Sequence, residues 1–307
     1  MPRLTAIVVA GPQRERAERA VAAIMAQTAA DEVEALVVDL DEEGARPLRL
    51  GDSVRVLRIP GGGWGEARTA AVRAATGTSV AFVEDHCVPS PEWAAAVIRA
   101  HEEGHAVVGY AFTAVNPSSY RSRAGLLTDY GLWVAPLPRG PARYLPSNNV
   151  SYRREALEGL EDALSTVFAI DFNLHEELLR RGHDLFLESD ALVAHENFER
   201  VLSLWRANNQ FCRLLAANRA DAERWSRRRR LVYAAGAPLA APTIKLVRLG
   251  RALRGRGHWR AFAVGLPVIV STFAAAAAGE AVGYLAGRGD SERGVLHWEV
   301  DAPRSVG

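Results

Sequence analysis

Cysteine is scarce: Cys87 and Cys212 are the only two in 307 residues, and they stand far apart. No CxxC pair occurs, so nothing suggests a disulfide framework or a cysteine-based metal site, and a reducing cytoplasm is the simpler setting. Lysine is rarer still, with Lys245 the sole example among 37 basic residues. Together with abundant alanine, this matches GC-rich coding and carries no functional meaning. Neither sign of charge is in surplus. A formal net charge of +1 argues against a nucleic-acid binder, and no basic segment is interleaved with aromatics as a stacking platform requires.

Three signatures are also missing. After the first apolar run stands "AGPQRER", without the GxGxxG of a nicotinamide-binding turn. The glycines at 61–63 and 65 are not followed by GK[ST], so they read as a flexible turn rather than a phosphate loop. No GxSxG is present, and no internal repeat is visible. The opening "MPRLTAIVVAG" has too short an apolar run for a signal peptide, so the first strand is expected to begin the fold directly.

What is there suffices for one large core, or a domain plus an appendage: 49% of residues are hydrophobic and 24% charged. The first half alternates strand-like with helix-like segments. Strands are expected at 4–11, 33–40, 53–59 and 79–85, and helices at 14–27, 65–76 and 90–104, the last with Ser90 as N-cap and Pro91 in the first turn. Such alternation implies a parallel sheet with helices on both faces, and a ligand site beyond the carboxyl ends of the strands. Asp39 and the cluster Glu84–Asp85–His86 lie at two such ends and can converge on one ligand. On an extended backbone Glu84 and His86 share a face while Asp85 projects the other way.

Further along, 105–115 reads as a strand and 120–134 as a helix, followed by loop-rich 135–149. A helix start is expected near "YRREALEGL", an amphipathic helix at 170–183, and a strand or strand pair at 184–196 ending in His195. The last third differs in character. "RRRR" (227–230) precedes an apolar stretch, a basic stretch (248–260), and then nineteen residues, 261–279, without a formal charge. That length approaches the roughly 20 residues needed to span a bilayer.

Several segments, taken in order, resemble a known family: "VVDLD" around Asp39, "GGGWGEARTAAVRAATG" (61–77), "FVEDHCVPSPEW", "NNVSYRR" (148–154), "IDFNLHEELLRRGHDLFLESDALVAHE" (170–196) and "GEAVGYLAG" (279–287). In this order they are similar to a GT-A-fold glycosyltransferase of family 2, membrane-associated subgroup, over roughly residues 4–220. The resemblance implies an α/β fold, a mixed Rossmann-like sheet flanked by helices. It implies transfer of a sugar from a nucleotide-sugar donor to a hydroxyl acceptor with inversion, by in-line displacement and with no nucleophilic residue.

The site residues follow from the same likeness. Asp39 corresponds to the nucleobase-binding acid, with Leu40 replacing the usual second acid, and Arg68 to the arginine facing the nucleotide. Glu84 and Asp85 belong to the D-x-D-type motif near the ribose, sugar and metal. His86 takes the motif's last, metal-touching position, and His195 a place that completes the metal shell in some members. Asp171 corresponds to the base that takes the acceptor's proton, and Asn148 and Asn149 to the acceptor side. A divalent cation, Mn²⁺ or Mg²⁺, stabilises the charge growing on the leaving diphosphate, and the histidine at position 86 suits Mn²⁺ better. Each group also has a plainer reading: Glu84–His86 as a solvated strand end, Asp39 or Asp171 as a helix cap, Arg68 as a surface arginine, His195 as a structural histidine, and Glu176 and Glu177 as solvated helix charges. "RANNQFCR" (206–213) departs from the family's "GR" pair, through Asn209 and Gln210, which points to a different acceptor.

The expected domains are 1–225 for the transferase, 226–287 for a helical membrane-associated region and 288–307 for a loose polar tail. Within 231–287 a bilayer span, a pair of interfacial helices broken at Pro242 and Pro267, and a soluble hairpin compete. Membrane association at the cytoplasmic face is the expectation, with a lipid-linked or envelope-polysaccharide acceptor. A donor-binding or scaffold protein without turnover is the alternative, motivated by Leu40 and His86. A nicotinamide-dependent enzyme is the third reading, disfavoured by the missing GxGxxG.

Overall fold

Strand β1, Leu4–Ala10, is buried at every position, as a strand covered on both faces must be. The computed structural model describes residues 1–42, 46–160 and 163–304. After β1 come α1 (Arg14–Met25), β2 (Val33–Asp39), β3 (Arg55–Arg58), α2 (Trp64–Ala74), β4 (Ser79–Phe82), β5 (Cys87–Pro89), α3 (Trp93–Glu102) and β6 (Val107–Ala114). There follow α4 (Tyr120–Tyr130), β7 (Gly140–Pro141), β8 (Val150–Arg153), α5 (Leu164–Val167), α6 (Asp171–Arg180) and β9 (Leu185–His195). The rest is helical: α7 (Val201–Ala222), α8 (Arg227–Ala252), α9 (Trp259–Ala286) and α10 (Ser291–Leu296).

One mixed sheet runs β3-β2-β1-β4-β8-β6-β9-β5, with β7 on β9. β3, β2, β1 and β4 are mutually parallel, and β6 is parallel to β9. β8 lies antiparallel between β4 and β6. Its amino end therefore meets the carboxyl end of β4, which puts residues 148 and 149 beside Glu84. The segment expected to start a helix near residue 152 is thus this strand and a short 3₁₀ turn, Arg154–Leu157. Val150 and Tyr152 are buried at 0% exposure, and β-branched and aromatic side chains suit that pleated surface.

Three other boundaries differ from expectation. β4 stops at Phe82 rather than 85, because the chain turns at Glu84–His86 to start β5. α3 begins at Trp93, whose amide donates to the Ser90 carbonyl at 3.0 Å, so Ser90 closes a turn instead of capping by its side chain. The helix expected at 120–134 ends at Tyr130.

Two compact units emerge: Met1–Val115 with Ala135–His195, and Asn116–Val134 with Glu196–Gly307. The first holds the sheet. The second gathers α4 and α7 with the segments expected as membrane region and tail. Over 288–304 the tail is folded, not loose: α10 and a π-helical turn, His297–Asp301, occupy it, Arg304 Cζ lies 4.2 Å from the Phe198 ring centre, and Trp298 packs edge-on to Phe198. Residues 305–307 of that tail lie outside the described residues.

Candidate functional site

The turn after β4 builds the centre of the site. The Cys87 amide donates to the Glu84 carbonyl at 2.9 Å, and Cys87 then pairs with His195 in the antiparallel β5–β9 register. That reversal carries His86 onto His195, their ring centroids 4.8 Å apart. Glu84 and His86 converge because of this turn, and not through an extended strand. His86 Nε2 lies 3.3 Å from Glu84 Oε2, His195 Nε2 lies 3.6 Å from the same oxygen, and the two Nε2 atoms are 3.1 Å apart. All three side chains are buried, with one ligand atom each within 4.8 Å of the others. Two imidazole lone pairs facing at this distance repel unless a proton or a cation stands between them. One carboxylate with two imidazoles suits Mn²⁺ better than Mg²⁺, which prefers oxygen ligands.

Asp85 stands behind this trio. Its Oδ1 lies 2.8 Å from His86 Nδ1, and its Oδ2 accepts from Arg16 Nη2 at 2.9 Å. A carboxylate on Nδ1 holds the proton there and turns the Nε2 lone pair toward a metal. Asp85 is 2% exposed and committed to these partners, so its surroundings suit an orienting group rather than the donor-sugar contact expected of it.

Glu84 is clamped from the β8 side. Asn148 Nδ2 donates to Oε1 at 3.2 Å and Asn149 Nδ2 to Oε2 at 2.5 Å, while the Glu84 amide donates to Asn149 Oδ1 at 3.1 Å. Asn148 has φ of +67°, a left-handed conformation that asparagine tolerates better than most residues. Both asparagines, expected on the acceptor side, thus act on the Glu84 carboxylate.

Asp171, the first residue of α6, is fully buried. It accepts from Arg68 Nη1 and Nη2 at 3.0 and 2.8 Å, from the Asn148 amide at 2.6 Å, from Ser147 Oγ at 3.2 Å and from the Tyr152 hydroxyl at 2.9 Å. Burial alone would raise its pKa. The Arg68 charge and hydrogen bonds, with His175 and the Asn148 amide, outweigh burial and hold the carboxyl below its ordinary range. Five donors on its two oxygens hold this carboxylate in place as the anion. Arg68 is equally enclosed: its guanidinium lies 4.0 Å from the Phe82 ring centre and donates to the Phe168 carbonyl at 2.9 Å. It faces the interior rather than a nucleotide, because α2 packs this face inward. His175 Nε2 meets the Tyr152 hydroxyl at 3.0 Å, and burial lowers its pKa to about 4.

Asp39 sits at the carboxyl end of β2. Arg14 donates to both of its oxygens, at 2.6 and 3.2 Å, and to Asp41 at 3.1 Å. Arg14 and Arg16 occupy the first turn of α1, where the helix dipole disfavours cations; the acids at 39, 41 and 85 offset that. Arg14, Arg16, Ser147, Tyr152 and His175 are the site residues that motif reading passes over. The doublet "RER" opening a helix against its dipole is the one signal that points to any of them.

A family model described as Glycosyl transferase family 2 matches residues 6–179. The chain belongs to glycosyl transferase family 2. Among solved structures it is similar to the mannosyltransferase PcManGT from Pyrobaculum calidifontis in complex with GDP-Man and Mn²⁺, at 18% identity, covering 91% of this chain and 87% of that one, with a TM-score of 0.54. A search of curated proteins returns no match. The likeness of fold identifies the nine-stranded sheet and its helices as the GT-A architecture. This family 2 glycosyltransferase carries Glu84 and His86 in the turn after β4, beside the amino end of β8, and His195 at the carboxyl end of β9.

Proposed function

We propose that this glycosyltransferase binds a nucleotide-sugar with a divalent cation and passes the sugar, with inversion, to a hydroxyl acceptor that is lipid-linked or part of an envelope polysaccharide. The convergence of Glu84 Oε2, His86 Nε2 and His195 Nε2 within 4.8 Å carries the reading. Those atoms would hold the cation, Mn²⁺ in preference to Mg²⁺. When bound, it supplies Lewis-acid stabilisation of the departing diphosphate.

The chain's own residues do the rest. Asp85 fixes the His86 tautomer, with Arg16 neutralising the far side of that carboxylate. Asn148 and Asn149 hold the Glu84 carboxylate so that its Oε2 faces the two imidazoles. Asp171, ionised and locked by Arg68, pins the Asn148 amide, and so acts on the site through Asn148 rather than as the proton acceptor. Asp39 with Arg14 marks the nucleobase end, at the carboxyl end of β2. The helical second unit holds the chain at the cytoplasmic face of a membrane, which suits a lipid-linked acceptor.

The test is calorimetry of the purified protein with GDP- and UDP-sugars, with and without Mn²⁺, followed by product analysis. Donor binding that needs Mn²⁺ and is lost in Glu84→Gln is the expected outcome. Binding indifferent to metal would remove the cation role, and binding without turnover on any acceptor would favour a scaffold protein.

A further inference from the structure

The helical unit exposes apolar surface in an ordered way. Along α9 every exposed residue from 261 to 286 is apolar, with Val264, Leu266, Val270, Val282 and Leu285 the larger ones. On α8, which packs beside α9, no exposed residue between 231 and 247 is charged; Val232 is 62% and Leu239 79% exposed. Soluble surfaces rarely carry so extended an apolar strip. Arginines rim it: Arg227–Arg230 at one end of α8, and Arg248, Arg251, Arg254 and Arg260 around the α8–α9 connection. No Asp or Glu occurs between Glu223 and Glu280, a stretch holding ten arginines and Lys245. The occupant this chemistry fits is a bilayer surface with anionic headgroups, apolar side chains entering the acyl boundary and guanidiniums meeting phosphate.

The opposite face of α9 decides the depth. α9 is long and apolar enough to cross a membrane. Its other side is nevertheless seated on α7, with glycines at the contact: a Cβ on Gly279 would stand 2.1 Å from the Asn209 carbonyl oxygen, and one on Gly283 2.4 Å from that of Arg213. Asn209 Nδ2 donates to the Ala275 carbonyl at 2.9 Å, Trp205 Nε1 to Ser271 Oγ at 3.2 Å, and Arg213 Nε to the Gly287 carbonyl at 3.1 Å. A spanning α9 would have to break these contacts or draw Arg206, Asn208 and Arg213 of α7 into hydrocarbon, where charged groups are strongly disfavoured. We infer that α8 and α9 form a monotopic platform, lying in the plane of one anionic leaflet without crossing it. This rests on the membrane association proposed above and specifies its depth.

The full chain is tested with variants that each add one cysteine, Val264→Cys, Val270→Cys and Val282→Cys, labelled with an environment-sensitive fluorophore; native Cys87 and Cys212 are buried. Labelled protein is added to vesicles of phosphatidylcholine alone, or with about a third phosphatidylglycerol. Expected are binding to the anionic vesicles only, release as salt approaches about 1 M, where screening acts within about 3 Å, and the same shallow quenching depth for all three labels. A graded depth, deepest at 270, would establish a span and overturn the inference while leaving membrane association intact. No binding to either vesicle would overturn both, and labels buried by a concentration-dependent dimer without lipid would assign the face to a second copy. The triple variant Val264→Asp/Val270→Asp/Val282→Asp should lower vesicle partition by at least about tenfold with Mn²⁺-dependent donor binding unchanged; should it not fold, Arg248→Gln/Arg251→Gln/Arg254→Gln should remove the preference for anionic lipid.

Discussion

Asn148 joins two carboxylates: its backbone amide donates to Asp171 Oδ2 at 2.6 Å while its side chain donates to Glu84 Oε1 at 3.2 Å. A residue at positive φ, held at both ends, links a buried ion pair to the Glu84 carboxylate.

Asp171→Asn separates a positioning role from a proton-accepting one. The amide returns an N–H toward donors that need an acceptor, so Asn148 should shift and Mn²⁺ affinity should fall along with turnover, by about tenfold or more, as for other groups that orient ligands. A proton acceptor would instead lose kcat with Mn²⁺ and donor affinity intact. Titration of Mn²⁺ against wild type and variant, followed by electron paramagnetic resonance, reads the difference.

Removing Arg68 strands a buried charge. Arg68→Met leaves Asp171 without its bidentate partner, and loss of one member of a buried pair costs about 3–5 kcal/mol. Urea unfolding should show that loss, and Arg68→Met/Asp171→Leu should recover part of it. An unchanged midpoint for the single variant would contradict the burial of this pair.

Asp85→Asn tests the support behind His86. The imidazole loses the carboxylate that fixes its tautomer at 2.8 Å, and metal affinity should drop about 10–100-fold with little change in melting temperature. Equal metal affinity in the two proteins would leave Asp85 no part in holding the site.

Acid should unfold the sheet unit early. Burial lowers the pKa of both His101 and His175 from 6.5 to about 4. The unfolded chain therefore binds more protons than the folded one between these values. Stability is full above pH 6.5 and declines as pH falls toward 4, by up to about 3 kcal/mol for each histidine. Asp171, lowered below its ordinary value, adds a loss in the same direction at still lower pH. Urea midpoints at stepped pH measure this, and a profile flat from 6.5 to 4 would refute it.

Much of the fold was legible in the residue pattern. Continuous apolar runs such as 4–10 announce buried strands, 3.6-residue periodicity announces the covering helices, and a carboxylate after an apolar run marks a strand end, as at Asp39 and Glu84. Those are local properties, and the family resemblance named the residues of the site from them. The short β8 was missed because "VSYRR" carries no local signal that outweighs the helix-like "REALEGL" beside it.

The sequence by itself settled the alternation that makes an α/β sheet, the acids at its carboxyl edge and the apolar, arginine-flanked C-terminal helices. Tertiary structure alone decided what those groups touch. The antiparallel insertion of β8 turned Asn148 and Asn149 onto Glu84, the Cys87–His195 register brought two imidazoles together, and the packing of α2 against α5, just ahead of α6, closed Arg68 on Asp171. The reason is physical: a side chain's partners across a sheet depend on strand order and register, which link residues as distant as 86 and 195 and leave no trace in the spacing near either one.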